Sequence, residues 1–273
     1  MSASGSYDLH GSHRDANAEI QRLAAQARSG WEKEARMLAW FGLKDGMSVL
    51  ELGSGPGFIT QQLCALLPTS PITCVEVDRT LLDQAAQYLG DAAGRQAQLV
   101  EGSVMDLRFD GGQFDLAYAR LLFQHLPDPL GAAREILRVL KPGGKLVIYD
   151  VDDELLGLFQ PPIPEFTPVL KAFGQAQAAR GGNRHIGGHL WRILSAAGFG
   201  TIDVEAIASH SAQIGVAAFL QHIDPDRMRS LVKLGLLSEQ DLERFRAALA
   251  AFSSMPGAYT LWLSFMFCAE KPH

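Results

Sequence analysis

Short apolar runs alternate with longer segments of helical hydrophobic periodicity between residues 45 and 152. The runs have the length and the β-branched content of buried strands, and the periodic segments have the length of connecting helices. Strands that are separated by such helices pair in parallel through right-handed crossovers. The pattern predicts an α/β unit with strands over 47–52, 72–77, 98–102, 114–119 and 145–151, and helices over 58–67, 80–89 and 129–140.

The segments on either side of this unit show a different pattern, in which helical periodicity dominates. On the N-terminal side it predicts two helices, over 15–28 and 31–41. On the C-terminal side it predicts helices over 169–180 and 186–197, two or three short helices within 214–253, and strands over 201–208 and 258–269.

This change of pattern divides the chain. Residues 1–44 precede the first predicted strand, and we interpret them as an N-terminal helical lid. Residues 45–273 form the core, although a proline-rich stretch after residue 151 interrupts the alternation of strands and helices. Two stretches exceed what that alternation needs, and we interpret them as insertions: about 152–197 and 209–257.

Composition and charge narrow the classes of function. The chain has 273 residues, of which 47% are hydrophobic and 20% are charged, and this is ordinary for a globular protein. Its net charge of -6 and its lack of a Lys/Arg run argue against nucleic-acid binding, because phosphate contacts need clustered cations. We expect neither a nucleic acid nor a membrane as a partner, and a homo-oligomer is compatible with the sequence.

Three features favour a cytoplasmic protein. The longest apolar stretch, 259–269, is shorter than the ~20 residues that span a bilayer. Residues 1–20 are polar and lack the apolar region of a signal peptide. Cys64, Cys74 and Cys268 have no C-x-x-C spacing, so we expect buried free thiols in a reducing compartment.

A glycine-rich loop closes the first predicted strand. The sequence reads Val-Leu-Glu-Leu-Gly-Ser-Gly-Pro-Gly-Phe over 49–58, with Gly53, Gly55 and Gly57 at alternate positions behind Glu51. Glycines between a strand and a helix let the backbone approach a ligand, and the helix N-terminus attracts an anion. The spacing G-x-G-x-G differs from the dinucleotide fingerprint G-x-G-x-x-G. We therefore expect a nucleotide-like ligand at this strand end.

An acidic residue ends the second predicted strand. Glu76 follows the loop at about the separation, ~20 residues, at which a carboxylate binds ribose hydroxyls. Asp78 lies on the same side of the strand and is the alternative, although it is also placed to cap the helix that begins near Thr80. The sequence favours Glu76 for the ligand and Asp78 for the cap.

Three further segments follow in order: Gly102-Ser103-Val104 after the third strand, Ala119-Arg120 after the fourth, and Arg138 to Gly144 before the fifth. With these motifs the chain resembles the class I S-adenosylmethionine-dependent methyltransferases, in the small-molecule branch that contains methyltransferase domains 11 and 25. The resemblance covers about residues 45–152 and the two closing strands. It implies a doubly wound, mostly parallel, seven-stranded Rossmann-like sheet with an antiparallel last strand. It also implies S-adenosylmethionine as donor and S-adenosylhomocysteine as product.

The resemblance further implies which residues bind the donor. Glu51 would take the amino group and Glu76 the ribose hydroxyls. The third strand end would bind the adenine, where Ser103 stands in place of the usual aspartate and Asp106 is an alternative acceptor. The residues after the fourth strand would flank the sulfonium. The implied donor site comprises Tyr7, Gln26, Glu51, Gly53, Ser54, Gly55, Gly57, Glu76, Val77, Gly102, Ser103, Val104, Ala119 and Arg120.

Two histidines are candidates for a catalytic base. His125 lies after the fourth strand, near the expected reaction centre, and imidazole titrates near neutral pH. The alternative is a structural histidine that is bonded to a loop carbonyl. His189 is the second choice for the base. With His185 it could also share a helix face, but a metal site would need a third ligand and no compact ligand motif is present, so we expect no metal.

The insertions and the lid are expected to hold the acceptor in an apolar, partly aromatic pocket that excludes water. Candidate pocket residues are Phe159, Pro161, Pro162, Phe166, Phe173, Trp191, Phe219, Phe252 and Met255, and candidate lid residues are Tyr7, His10, Gln26 and Trp31. We expect methyl transfer to O, N or C of a small, largely apolar organic molecule such as a specialised metabolite. The alternatives are an NAD(P)-dependent oxidoreductase on a related fold and a non-catalytic donor-binding module.

Overall fold

One mixed sheet organises the chain. The computed structural model describes residue 6 and residues 16–220 and 223–273. Within these residues the sheet has eight strands in the order β3-β2-β1-β4-β5-β8-β6, and β7 also pairs with β8. The strands are β1 Val49–Leu52, β2 Ile72–Glu76, β3 Ala97–Glu101, β4 Phe114–Arg120, β5 Leu140–Asp150, β6 Gly157–Gln160, β7 Ile202–His210 and β8 Tyr259–Glu270.

The strand directions confirm the predicted fold class. β1 to β5 pair in parallel, whereas β8 runs antiparallel to β5, β6 and β7. The winding reverses between β1 and β4, and ligands bind at such switch points in open α/β sheets. The predicted count of seven strands is wrong by one. The extra strand, β6, comes from the proline-rich stretch, and its pairing with the start of β8 is a tertiary contact that no local pattern announces.

Helices cover both faces of the sheet. Where the sequence predicted two N-terminal helices there is one, because Gly30 lies inside a continuous helix. A Cβ at Gly30 would lie 2.8 Å from Oε1 of Glu34, so glycine makes room there for a buried carboxylate. The helices are α1 Ala16–Trp40, α2 Phe58–Leu66, α3 Arg79–Gly94, α4 Pro129–Val139, α5 Phe166–Ala178, α6 Gly187–Ala197, α7 Ser211–Ile214, α8 Val216–Leu220, α9 Arg229–Lys233 and α10 Glu239–Ser254, with short 3-10 helices at Phe123–His125 and Pro225–Met228.

Three apolar clusters hold these layers together. One contains Leu190 of α6 together with residues of α4 and the sheet, and a second contains Leu63 of α2 together with residues of α1. The third contains Phe245 of α10 together with residues of α5 and α9. α6 therefore packs with the core layers although it falls within the insertion predicted at 152–197. The remaining insertion helices pack mainly on one another.

The cysteines and the hydrophobicity of the helices were the subject of two further expectations. Cys64, Cys74 and Cys268 are buried free thiols, as predicted. Among the described helices, none combines the length and the hydrophobicity of a membrane span.

A buried ion pair joins α1 to the sheet. Arg120, at the end of β4, donates to both carboxylate oxygens of Glu34 at 2.7 and 2.8 Å, and the Tyr118 hydroxyl donates to the same carboxylate at 2.8 Å. The guanidinium also donates to the Gln26 carbonyl oxygen at 3.2 Å and lies 5.0 Å from the ring centre of Tyr149. Removing one partner of such a pair is costly, because the other charge stays buried without compensation.

We therefore expect Glu34→Gln to lower the free energy of unfolding by about 3 kcal/mol, measured by urea denaturation. The matched control is Glu32→Gln, which removes an exposed carboxylate from the same helix and should change stability by less than about 0.5 kcal/mol. Replacing both partners, Glu34→Leu with Arg120→Met, should cost less than the sum of the two single changes. Equal losses for Glu34→Gln and Glu32→Gln would contradict a structural role for the pair.

Candidate functional site

A cavity of about 750 Å³ opens where the carboxyl ends of β1, β2 and β4 meet. This volume is typical of small-molecule sites, and the position is the switch point of the sheet. We call the part lined by residues within 51–59, 75–81 and 102–104 the strand-end half. We call the part lined by residues within 156–184, 219–234 and 262–264 the roof half. Helix α1 lines the cavity as well.

The glycine loop needs glycine for two different reasons. Gly53, Gly55 and Gly57 have φ angles of 67°, 55° and 83°, which residues with a Cβ rarely adopt. A Cβ on Gly57 would lie 3.1 Å from the Cβ of Ala85, so this glycine lets α2 approach α3 and does not itself line the cavity. Gly53 and Gly55 do line it, and nothing lies within 4 Å of the Cβ position at Gly55.

Ser54 presents a buried hydroxyl to the cavity. The residue is 6% exposed, and among the described residues its Oγ has no hydrogen-bond partner. Leaving a buried polar atom unbonded costs about 1–3 kcal/mol. The hydroxyl therefore fits a ligand that makes a hydrogen bond within the loop.

Glu51 is buried at the base of the loop. Its carboxylate accepts hydrogen bonds from Thr60 Oγ1 at 2.6 Å and from Cys74 Sγ at 3.4 Å. Burial raises the pKa of the Glu51 carboxyl to about 7, although both hydrogen bonds act in the opposite direction. A carboxyl of this kind gives up its proton readily when a cationic group comes close.

Glu76 and Asp78, which the sequence left as alternatives, have different environments. Glu76 is 7% exposed and accepts hydrogen bonds from the amides of Gly55, Val77 and Asp78 at 2.8, 2.8 and 3.0 Å. Burial raises the pKa of its carboxyl. Asp78 accepts a bond from the Thr80 amide at 2.8 Å and so caps α3, as expected. Both residues line the cavity, but only Glu76 is tied to the glycine loop.

The end of β3 supplies a third wall of the strand-end half. Gly102, Ser103 and Val104 all line the cavity. The Ser103 hydroxyl accepts a bond from the backbone amide two residues further on at 3.2 Å, and its own proton stays available for a ligand. Asp106, the alternative acceptor, does not line the cavity. Its side chain is 76% exposed and lies 3.8 Å from Arg108.

At the end of β4, Ala119 and Arg120 were both expected to flank the ligand, but only one of them lines the cavity. Ala119 is fully buried in the sheet and does not line the cavity. Arg120 does line it, but its charge is matched by Glu34. Leu121, in left-handed backbone with a φ of 53°, and Leu122 form the wall at this point. The sequence missed them because an apolar residue carries no signal that separates a cavity wall from the core.

His125 lines the cavity in surroundings that disfavour its charged form. Burial lowers the pKa of its imidazole to about 3, and the charges of Arg184, Arg180 and Arg22 act in the same direction. Its Nδ1 lies 2.9 Å from the Ser6 hydroxyl, and the Ser6 amide donates to its carbonyl oxygen at 2.9 Å. A group with so low a pKa is a weak proton acceptor. The geometry therefore favours a structural histidine, with Ser6 of the N-terminal segment as one of its partners.

The second candidate base, His189, lies away from the cavity. It is exposed on α6 and is not among the lining residues, so it cannot act on a ligand held there. Its neighbour His185 approaches Asp152 at 3.6 Å. Among the described residues, no three His, Cys, Asp or Glu side chains are grouped so that they could hold a metal ion.

The roof half is largely apolar, as the aromatic content of the insertions suggested. Phe166, Phe173 and Phe219 line it, and Phe159 and Phe252 pack behind it with ring centres 5.6 Å apart. The other predicted pocket residues do not line the cavity: Pro161, Pro162, Trp191 and Met255. Long-range packing decides which aromatic residues reach the cavity, so their identity alone could not.

Only some of the predicted lid residues line the cavity. Gln26 lines the cavity and Trp31 does not, whereas Tyr7 and His10 lie outside the described residues. The sequence missed a set of cavity-lining arginines that share no motif spacing: Arg22, Arg180, Arg184 and Arg227. They come from separate segments, and only the tertiary structure brings them to one cavity.

Comparison with known proteins adds independent information. A family model described as a methyltransferase domain matches residues 50–148. Sterol 24-C-methyltransferase ERG6A of Gibberella zeae is 34% identical over 110 residues, which cover 40% of this chain and 29% of that protein. Demethylmenaquinone methyltransferase of Lactococcus lactis is 28% identical over 127 residues, which cover 46% of this chain and 50% of that protein. The chain thus spans half or less of these relatives.

Two solved structures share the fold. Phosphoethanolamine N-methyltransferase 2 of Haemonchus contortus, in complex with phosphomonomethylethanolamine and S-adenosylhomocysteine, aligns with a TM-score of 0.57 and 20% identity over 89% of this chain and 53% of that one. The (4+2)-cyclase SpnF aligns with a TM-score of 0.56 and 21% identity over 90% of this chain and 85% of that one. At 20% and 21% identity, these similarities show the fold alone.

The family match covers most of the strand ends that build the strand-end half, from the glycine loop to β5. The sheet order, the loop with Glu51 before it and Glu76 after it, and the methyltransferase relatives agree with one another. Residues 50–148 therefore match a methyltransferase domain, and over this part the chain is similar to proteins named as methyltransferases.

Proposed function

We propose that this protein transfers a methyl group from S-adenosylmethionine to a small, largely apolar acceptor. One observation carries the proposal: a single cavity joins a polar strand-end half, with two buried carboxyls and an unbonded hydroxyl, to an apolar roof half. Two relatives named for sterol and demethylmenaquinone methylation support an acceptor of this type. The acceptor determines whether oxygen, nitrogen or carbon receives the methyl group.

The strand-end half offers matching groups for each part of the donor. We assign Glu51 to the ammonium group, Glu76 to the ribose hydroxyls and Ser103 to the adenine, and the backbone of the glycine loop to the carboxylate. Ser54 supplies a further hydrogen bond in that loop. When bound, S-adenosylmethionine supplies a methyl group on a sulfonium. Arg120 lines the cavity without repelling that cation, because Glu34 matches its charge.

Two other functions give different experimental results. An oxidoreductase would bind NAD(P), but the loop spacing G-x-G-x-G and the antiparallel β8 argue against it. A non-catalytic module would bind the donor and transfer nothing to any acceptor. We also infer a cytoplasmic location, because the three buried free thiols suit a reducing compartment.

The direct test measures transfer of a labelled methyl group from S-adenosylmethionine to each member of a panel of quinols, sterols, smaller phenols and amines. We expect labelled product from at least one apolar acceptor. Thermal shift with S-adenosylhomocysteine and with NAD provides the control for the first alternative, and a response to NAD alone would overturn the proposal. Binding of S-adenosylhomocysteine without transfer to any acceptor would favour the non-catalytic module.

Glu76 and Asp78 form a matched pair of variants for the donor site. We expect Glu76→Ala to weaken S-adenosylhomocysteine binding by about 1.5–3 kcal/mol, from the loss of charge-assisted hydrogen bonds. Asp78→Ala should leave that affinity unchanged and lower the free energy of unfolding by about 1 kcal/mol, because Asp78 caps α3. Calorimetric titration and urea denaturation measure the two effects. The reverse pattern would reassign the ribose to Asp78.

The pH dependence of donor binding tests Glu51. Below its pKa of about 7 the carboxyl is protonated and cannot pair with an ammonium group. We therefore expect S-adenosylhomocysteine to bind about tenfold more weakly at pH 6 than at pH 8, since binding must first remove the proton. The Glu51→Gln variant should bind weakly with no such dependence. His125 does not titrate in this range, because its pKa is about 3. An equal slope in wild type and variant would exclude Glu51.

A further inference from the structure

The charged side chains are unevenly distributed around the cavity. Its acidic lining residues belong to α1 or to the strand-end half: Glu19, Glu51, Glu76 and Asp78. Among the described residues that line the roof half, none is acidic, whereas Arg180, Arg184 and Arg227 are basic. The chain as a whole carries a net charge of -6, so this positive region is a local feature.

Two of the arginines near His125 are matched by carboxylates. Arg22 pairs with Glu19 at 2.6 Å. Arg184 pairs with Asp153 at 2.6 Å and also donates to the side-chain oxygen of Gln124 at 2.8 Å. These pairs use the nearby carboxylates within the protein, so neither arginine is left to balance an added negative charge.

Arg180 differs from both. Its side chain is exposed and lines the cavity, and among the described residues it makes no ion pair. Its positive charge repels a proton on His125 and so helps to lower the pKa of that imidazole. Among the described residues, the region around His125 therefore carries one cation that is not paired with a carboxylate.

The backbone that carries Arg180 is held in place. It follows α5, and the amides of Arg180 and Gly182 donate to the carbonyl oxygen of Gln177 at 3.0 and 3.1 Å. The buried Gln177 side chain donates to the carbonyl oxygen of Gln124 at 2.8 Å, and the Asn183 amide donates to the same oxygen at 2.7 Å. The turn is thus fixed against the 3-10 helix of His125, while the Arg180 side chain stays accessible.

We propose that Arg180 binds an anionic group of the acceptor, so that the acceptor is an apolar molecule that carries one carboxylate or phosphate. This inference rests on the proposed function and names the class of its second substrate. A guanidinium binds either anion through paired N–H donors. The apolar roof half holds the rest of the molecule, and the anionic end fixes its direction within the cavity.

The experiment uses amphiphiles of one chain length as probes: dodecanoate, dodecyl phosphate, dodecanol and dodecyltrimethylammonium. Each is titrated by calorimetry into the full chain, with and without saturating S-adenosylhomocysteine. We expect both anions to bind more tightly than dodecanol, and the cation to bind most weakly. Arg180→Gln should weaken binding of the anions about threefold to tenfold and leave dodecanol unchanged, because the site is partly exposed. Arg180→Lys should retain part of the preference.

The matched control is Arg192→Gln, which removes an exposed arginine of α6 that does not line the cavity. It should leave the preference for anions intact. Equal affinity for dodecanol and both anions in the wild type, failure of both anions to bind, or the same loss in Arg192→Gln would overturn the inference. The ratio of dodecanoate to dodecyl phosphate affinity identifies the preferred anion. If S-adenosylhomocysteine itself does not bind, the proposed function fails, whereas binding without an anion preference removes only the role of Arg180.

Discussion

The buried ion pair between Glu34 and Arg120 is the interaction on which the site depends most. It connects the N-terminal helix to the end of β4, and the same guanidinium holds the Gln26 carbonyl at the edge of the cavity. The Glu34 carboxylate also neutralises the positive charge of Arg120, close to where the sulfonium of the proposed donor would lie. Without Glu34, α1 would lose this anchor and the cavity would gain an uncompensated cation. This one ion pair therefore both attaches α1 to the sheet and neutralises a charge in the wall of the cavity.

The cavity as a whole is electrically divided. Buried carboxyls with raised pKa values, Glu51 and Glu76, lie at the strand ends, and arginines lie under the roof. Each half then attracts a ligand group of opposite charge: an ammonium group on one side and an anion on the other. Because burial weakens the screening of the two carboxyls by solvent, this division can orient two molecules in one space.

Residues of the strand-end half could be named from the sequence because that half is local. Gly53, Gly55 and Glu76 lie within a single strand–helix–strand unit, and backbone geometry restricts which residues fit there. The roof half could not be predicted in the same way. The break predicted between residues 28 and 31 is absent, because Gly30 lies inside the continuous helix α1, where it leaves space for Glu34. β6, Leu121 and Arg180 owe their positions to long-range packing, and nothing in their own segments indicates it.

The state of His125 bears on the chemistry of the acceptor. It is the only histidine among the described residues that line the cavity, and its low pKa makes it a poor receiver of a proton. Arg180, which helps to lower this pKa, is also the residue that we propose to bind an anionic acceptor, so the two properties are linked. A positive region that favours an anionic substrate also favours an acceptor atom that has already lost its proton. An ionised or neutral nucleophile can then attack without a protein base, and the cavity contributes mainly alignment and exclusion of water.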